Sequence, residues 1–430
     1  MDEEKQTTEE IEVEEYEEEY EEYTGPSGFS LVLNRWFHHL DRGSTLGGEI
    51  MAGFAVFFLS ICVIFMNMQI VGNAVTADVT LATSPLSPVN IAAAKVYTQL
   101  YAGSILVAII GSLLMGIVAR LPFTQVSSMG LASSLLCLVG TQSGLTWQNL
   151  LFLNLIAAVV YAVVCGVPKV REFVFNAIPT SVRYALAGAL GLTVAWYALQ
   201  MTGFVTTKTV SFGESQGLTI LSGFAFSGMR DLALCGIFGA AVAVILYVVL
   251  ALTKKKHKVF WAMLAGTVVF LVSSIVKDGL DTAKTESIMN FGRLWLVAGS
   301  QASQQTPFAD SYLTYAMDAI KAVFASFGQV ITAGSDFSGY TGNTVALMIG
   351  AVLCYVFSGL FQAQGALMGA QDDLNGNTEE EDAMVDFTRE QGARKALLCC
   401  AASNILAPFF GVAGVNFGVS SVSGAKDRGK

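Results

Sequence analysis

The stretch that decides the fold class reads LALCGIFGAAVAVILYVVLALT and occupies residues 232–253. It holds no charged residue, and about 20 apolar residues in a helix span the hydrocarbon core of a bilayer. Seven other stretches are similarly apolar. They lie at about residues 50–73, 100–119, 149–167, 182–202, 259–277, 344–368 and 394–412. The sequence therefore predicts an all-α polytopic membrane protein.

Composition supports the same class. Hydrophobic residues make up 53% of the 430 residues and charged residues only 13%, whereas soluble domains carry about 25% charged residues. The alternative is a soluble protein with an unusually apolar core. The length of the apolar stretches disfavours it, because helices in soluble proteins rarely present so long an uninterrupted apolar surface.

The N-terminal residues differ sharply from the rest of the chain. The net charge is −10, but residues 1–23 alone hold 13 acids and one lysine. Like charges repel and a Glu/Tyr repeat cannot bury a core, so residues 1–30 are predicted to be a disordered cytoplasmic tail. Docking of this tail to a basic partner is the alternative. Residues 31–48 follow as an interfacial segment, with Trp36 and Phe37 at the lipid headgroups.

Basic residues in the short loops predict the topology. With the N-terminus in the cytoplasm, every later inside loop carries lysine or arginine, and the outside loop 141–148 carries neither. Cytoplasmic loops are enriched in these residues. The agreement requires two shorter segments, at about 127–140 and 412–424, to count as crossings. We therefore predict a multi-pass protein of the cell (plasma or inner) membrane with a cytoplasmic N-terminus.

Two segments break the helical pattern, residues 120–131 and 411–424. Pro122 disfavours a helix and Thr124–Val126 favours an extended chain, and a similar β-prone piece lies at Val415–Val419. Serines follow each piece and can cap a short helix. Two interrupted helices in separate parts of a polytopic protein are typical of a transporter's binding site. The alternative is a pair of re-entrant kinks that serve packing alone.

Gln362 and Gln364 lie near the end of the apolar stretch 344–368. An amide is both donor and acceptor, which complements the edge of a heterocycle, although bonding between helices is an equally good explanation. The candidate substrate-binding residues are Phe123, Thr124, Gln125, Ser128, Gln362, Gln364, Asn416, Phe417 and Ser420, with Asn67 as a weaker candidate. No nucleophile-and-base pattern is present, so the sequence predicts no enzyme, cofactor, metal site or nucleic-acid binding.

Several motifs occur in an order typical of one family. They include RWFHHLDRGST at residues 35–45, LPF at 121–123, MGL at 129–131 and NAIPTSVRYALAGALGL at 176–192. In these motifs the chain resembles the AzgA-type adenine/guanine/hypoxanthine permeases of the nucleobase:cation symporter-2 superfamily. The resemblance is good over 35–203, faint over 204–340 and weak over 355–424.

The resemblance implies an inverted-repeat transporter with two repeats of seven helices, a core domain and a gate domain. In the helix numbering of that family, the substrate would lie between the broken third and tenth helices, beside the eighth helix. On this basis the chain divides into core helices 1–4 of the first repeat, gate helices 5–7, an extracellular loop region and core helices 8–10. The corresponding ranges are 49–170, 171–277, 278–343 and 344–430. Four further helices would follow residue 430, so we expect a fragment or a second chain that completes the fold.

The chain departs from the family at its acidic positions. Gln362 stands where helix 8 has aspartate, and Gly418 and Ser420 stand where helix 10 has tyrosine and glutamate. Those carboxylates would bind purine and couple protons. The sequence therefore predicts a permease for purine nucleobases or a related small heterocycle, working by alternating access. Coupling to H⁺ or Na⁺ and a homodimeric state remain open. The rival prediction is a non-transporting membrane binding or scaffold protein derived from such a permease.

Overall fold

The structure is a computed structural model, and it describes a defined part of the chain. The described residues are 46–77, 88–127, 145–201, 205–212, 215–224, 232–253, 255, 257–278, 317–318, 320–324, 328–337, 342–375 and 386–418. The predicted acidic tail, almost all of the interfacial segment, most of the region 278–343, Ser128 and Ser420 lie outside them.

Helices dominate the described residues, and each of the eight predicted apolar stretches lies largely in a helix. The helices are α1 Leu46–Ala77, α2 Pro88–Leu114, α3 Trp147–Gly166, α4 Pro168–Ala177, α5 Thr180–Met201, α6 Leu232–Leu252, α7 Lys258–Asp278, α8 Gln329–Thr332, α9 Gly342–Asn375 and α10 Glu390–Leu406. Three described segments have the length and composition to cross a membrane, namely Gln99–Ala119, Trp147–Gly166 and Gly342–Gln371. Shorter apolar helices lie at Leu46–Ser60, Gly236–Leu252 and Lys258–Ser273.

Both predicted breaks contain a short β-strand, and the two strands pair with each other. α2 continues as a π-helical turn, Met115–Ala119, and ends at Arg120, whose φ of 57° is left-handed. Strand β1, Gln125–Ser127, follows. Beyond α10, a 3₁₀ turn at Ala407–Phe410 leads through Gly411 to strand β4, Val415–Phe417. β1 and β4 form a two-stranded antiparallel sheet.

A second sheet was not anticipated from the sequence. Strands β2, Val205–Phe212, and β3, Ser215–Phe224, form an antiparallel hairpin between α5 and α6. The signal was the Thr- and Val-rich composition of VTTKTVSF at 205–212, since β-branched residues favour strands. The prediction of an all-α protein therefore needs this addition.

Helix packing relies on small residues at the points of closest approach. α9 packs against α5 and α3, and α6 packs against α7. A Cβ added at Gly365 in α9 would lie 2.8 Å from the Cβ of Leu186 in α5. A Cβ at Gly266 in α7 would lie 2.8 Å from the carbonyl oxygen of Gly239 in α6. Small residues let membrane helices approach closely, so these glycines set the spacing of the two pairs.

The main core lies around α3, α9 and α10. Its largest buried side chains include Tyr161 in α3, Leu367 in α9 and Leu397 in α10. The sheet formed by β1 and β4 lies against this core, with Phe123 and Phe417 among the cluster members. The fold thus brings two chain segments that are about 290 residues apart in sequence to one place.

Candidate functional site

The candidate site is built on the β1–β4 sheet. Gln125 pairs with Phe417, Val126 with Asn416 and Ser127 with Val415. Residues directly opposite each other in an antiparallel pair share one face, and successive residues alternate between faces. The sheet therefore has an even face, with Thr124, Val126, Asn416 and Gly418. Its odd face carries Phe123, Gln125, Ser127, Val415 and Phe417.

The even face contacts α1 and α9 through polar groups. The hydroxyls of Thr124 and Ser60 in α1 lie 3.0 Å apart. Asn416 Nδ2 donates to Gln362 Oε1 at 3.2 Å and to the carbonyl oxygen of Gly359 at 3.3 Å, both in α9. Two amides and two hydroxyls from four separate elements therefore surround this face. Their side chains carry no formal charge, and both donors and acceptors are present.

Gly418 extends the even face beyond β4. Its backbone N–H donates to the carbonyl oxygen of Thr124 at 2.8 Å, which continues the pairing of the two strands. A Cβ at this position would overlap Thr124 Oγ1 and would lie 3.4 Å from Val126 Cγ2. Only glycine leaves the Thr124 hydroxyl uncovered from this side.

The odd face is mainly a packing surface. The rings of Phe123 and Phe417 are 5.2 Å apart, and Phe123 also lies 6.3 Å from Phe387. Gln125 is fully buried beside Gly111 of α2 and Ser403 of α10. Within the described part of the chain, both amide atoms of Gln125 lack a hydrogen-bond partner, as does the hydroxyl of Ser127. Buried polar groups are normally bonded to protein or water, so this pair is exceptional.

The structure divides the predicted site residues between these surroundings. It brings Thr124, Gln362 and Asn416 together on the even face, whereas Phe123, Gln125 and Phe417 lie on the odd face. Gln364 is buried in α9 with an unpartnered Oε1, and two residues along a helix place it about 200° from Gln362. Asn67 lies in α1, but its side chain, like Ser128 and Ser420, is outside the described residues. Substrate binding by these residues stays a prediction.

Sequence reasoning missed Ser60 and Asn404. Ser60 lies in the apolar stretch of α1, and nothing nearby in sequence marks it. Asn404 in α10 bonds the backbone of β4 on both sides of Val415. A buried asparagine in an apolar stretch was a usable signal, because burial of an amide is costly without partners.

Comparison with known proteins adds an independent observation. No protein-family model matches the chain. The adenine permease AdeP of Escherichia coli is 26% identical over 198 residues, 45% of this chain and 39% of that protein. The guanine/hypoxanthine permease PbuG of Bacillus subtilis is 25% identical over 244 residues, 57% of this chain and 50% of that protein.

The chain resembles nucleobase permeases. A putative permease of Methanocaldococcus jannaschii is also 26% identical over 212 residues, 49% of this chain and 42% of that protein. The resemblance stated from sequence motifs is therefore confirmed, and together with the apolar helices it makes the chain a multi-pass membrane protein. The chain matches half of the length of these relatives or less.

Proposed function

We propose that this chain carries the substrate site of a permease for purine nucleobases or a closely related heterocycle. The observation that carries the proposal is the pair of amides where α9 meets the paired strands β1 and β4. Asn416 Nδ2 lies 3.2 Å from Gln362 Oε1. Extended backbone at membrane depth is tolerated where it is buried or lines a cavity. The names of the relatives, adenine permease and guanine/hypoxanthine permease, supply the substrate class.

The chemistry of the even face suits a neutral heterocycle. The edge of a purine presents ring nitrogens and exocyclic groups that act as donors or acceptors, and amides and hydroxyls offer the complementary groups. The sequence contains no aspartate or glutamate in residues 79–171, 342–371 or 391–426. We therefore propose recognition through hydrogen bonds between neutral groups, with the substrate in its uncharged form.

Transport would proceed by alternating access. In inverted-repeat transporters the substrate lies near the bilayer midplane at broken helices, while one bundle moves against the other. The paired breaks of α2–β1 and α10–β4 fit the position of such a site. We propose that the even face is the part that substrate meets, because its polar groups come from α1, α9, β4 and the residue that precedes β1.

Reconstitution in proteoliposomes tests the proposal. Uptake of radiolabelled adenine, guanine, hypoxanthine, xanthine and uracil would be measured with and without gradients of H⁺ and Na⁺. We expect saturable uptake of at least one purine, inhibited by unlabelled purines. Gln362→Ala should weaken this uptake, and Gln371→Ala in the same helix is the matched control. Absence of uptake, together with absence of any purine-induced thermal shift, would overturn the proposal.

A second candidate has a specific observation in its favour. Gln362 and Ser420 stand where the resembled family has carboxylates, which is what a binding protein without ion coupling would show. Such a protein would bind purines in the thermal-shift measurement and give no uptake. The same two experiments therefore separate a permease from a non-transporting membrane binding protein.

A further inference from the structure

One side chain occupies the edge of β4 that faces away from β1. Successive residues of an antiparallel strand turn their backbone groups to opposite edges. Gly418 N–H points to β1, where it bonds Thr124, so the N–H and C=O of Val415 point the other way. Asn404 Nδ2 donates to Val415 O at 2.8 Å, and Val415 N–H donates to Asn404 Oδ1 at 2.9 Å. The Asn404 amide therefore makes the two bonds that a third strand would make.

The Asn404 amide is itself held on its helix side. Its Nδ2 also donates to Cys400 O one turn earlier in α10, at 3.1 Å, and Tyr355 OH in α9 donates to its Oδ1 at 3.1 Å. Asn404 is only 3% exposed. A Cβ at Gly414 would overlap the Tyr355 hydroxyl, so the Tyr355 side chain packs directly against the backbone that leads into β4. These contacts fix both the position and the rotation of the amide.

The backbone of β4 in turn fixes the amides of the even face. Phe417 N–H donates to Asn416 Oδ1 at 2.8 Å. Because this bond engages the amide oxygen, Asn416 Nδ2 points towards Gln362 Oε1. The polarity of the Gln362–Asn416 pair thus follows from the placement of the strand. Tyr355 and Gln362 are seven residues apart, about two turns, and lie on one side of α9. A series of hydrogen bonds therefore connects Tyr355 of α9 to Asn404, Asn404 to β4, and Asn416 of β4 to Gln362 of α9.

We propose that Asn404 is a positioning residue for substrate recognition, because it holds β4 so that Asn416 and Gln362 present a fixed donor–acceptor pattern. The inference rests on the proposed function. The planar carboxamide carries its donor and its acceptor on two separate atoms, so Asn404 can donate to Val415 O while it accepts from Val415 N–H. Asparagine at 404 therefore sets affinity and selectivity without touching the substrate.

Asn404→Ala tests the proposal, with Asn154→Ala as the matched control. Asn154 is a buried asparagine of α3, 1% exposed, and its Nδ2 likewise donates to the carbonyl one turn earlier, Leu150 O. It bonds neither strand in the described structure. Removing Asn404 should raise KM for the transported purine about tenfold, equal to about 1.4 kcal/mol, and reduce discrimination among purines. Vmax per folded protein and the KM of the control should stay within twofold.

Two further measurements separate positioning from a merely structural role. Hydrogen exchange of the peptide that covers 411–418 should be faster in Asn404→Ala than in wild type or control, and this measurement needs no substrate. Loss of Asn404 and loss of Asn416 should be less than additive in their effect on KM, although the two side chains are not bonded to each other. If Asn404→Ala does not fold, Asn404→Asp keeps the acceptor and loses the donor to Val415 O, and the same changes are expected.

The outcomes are distinct. Unchanged exchange at 411–418, or a KM in Asn404→Ala equal to that of the control, overturns the inference and leaves the proposed function standing. Additive effects of the two substitutions on KM also overturn it. If the wild-type protein neither binds nor transports purines, the proposed function fails, and the role of Asn404 in recognition fails with it.

Discussion

The two faces of the β1–β4 sheet share a backbone and differ in almost everything else. The odd face packs the ring of Phe417 against Phe123 inside the core. The even face directs Thr124 and Asn416 to the hydroxyl of Ser60 and the amide of Gln362. A short sheet between two broken helices can thus anchor itself with one face and offer hydrogen bonds with the other. Substitutions on the even face should change recognition, and those on the odd face should change stability.

The largest effect is expected at Gly418. In Gly418→Ala the new methyl group overlaps Thr124 Oγ1, so the strand must shift and carry Asn416 away from Gln362. We expect purine uptake to fall about a hundredfold, since misplacement of about 1 Å can have that cost. Gly350→Ala in α9, where a Cβ meets nothing within 4 Å, is the control. Equal uptake in the two variants would show that the even face tolerates displacement.

Gln362→Ala is expected to have the next largest effect. Truncation removes the acceptor for Asn416 Nδ2 and leaves a buried amide with one partner fewer. KM should rise about tenfold, corresponding to about 1.4 kcal/mol, which is within the cost of an unsatisfied buried group. Gln371→Ala, which removes the acceptor for Phe387 N–H, should leave KM within twofold. A normal KM in Gln362→Ala would remove this residue from the site.

These predictions concern a surface that the sequence described only in part. The helices could be located because apolar stretches of membrane length have few alternatives, and both breaks followed from Pro122 and the β-prone residues around them. The pairing of 125–127 with 415–417 could not be predicted, because no local pattern specifies a partner about 290 residues away. Without the register of β1 against β4, Gln125 and Asn416 are equivalent candidates for substrate binding. In the structure they lie on opposite faces of the sheet.

The missed elements have similar causes. The β2–β3 hairpin has strands of 8 and 10 residues that contain several threonines, so it lacks the long apolar run by which the membrane helices were predicted. Asn404 lies in the mostly apolar stretch CCAASNIL at residues 399–406, and an asparagine there is as readily explained by bonding between helices. Its bonds to both sides of Val415 depend on where β4 lies in space, which the sequence of α10 does not encode.

A smaller effect, on stability, is expected on the odd face. Phe417→Leu removes the ring that lies 5.2 Å from Phe123 and leaves a small gap in the core. We expect the free energy of unfolding to fall by about 1–2 kcal/mol, in the range for removing part of a buried side chain. Thermal unfolding in detergent and KM would be measured together. A lower apparent melting temperature with unchanged KM is expected, whereas a raised KM would return Phe417 to the site, as its sequence position suggested.

The smallest effect is expected at Gln125, where the direction is informative. Its amide is fully buried, and within the described structure neither amide atom has a hydrogen-bond partner. Gln125→Met keeps the length of the side chain and removes the two polar groups, which can be neutral or stabilising when no bond is lost. We therefore expect the free energy of unfolding to rise by up to about 1 kcal/mol, with unchanged KM. A loss of more than about 1 kcal/mol would mean that bound water bonds this amide, and the odd face would then be a hydrated surface as well as a packing one.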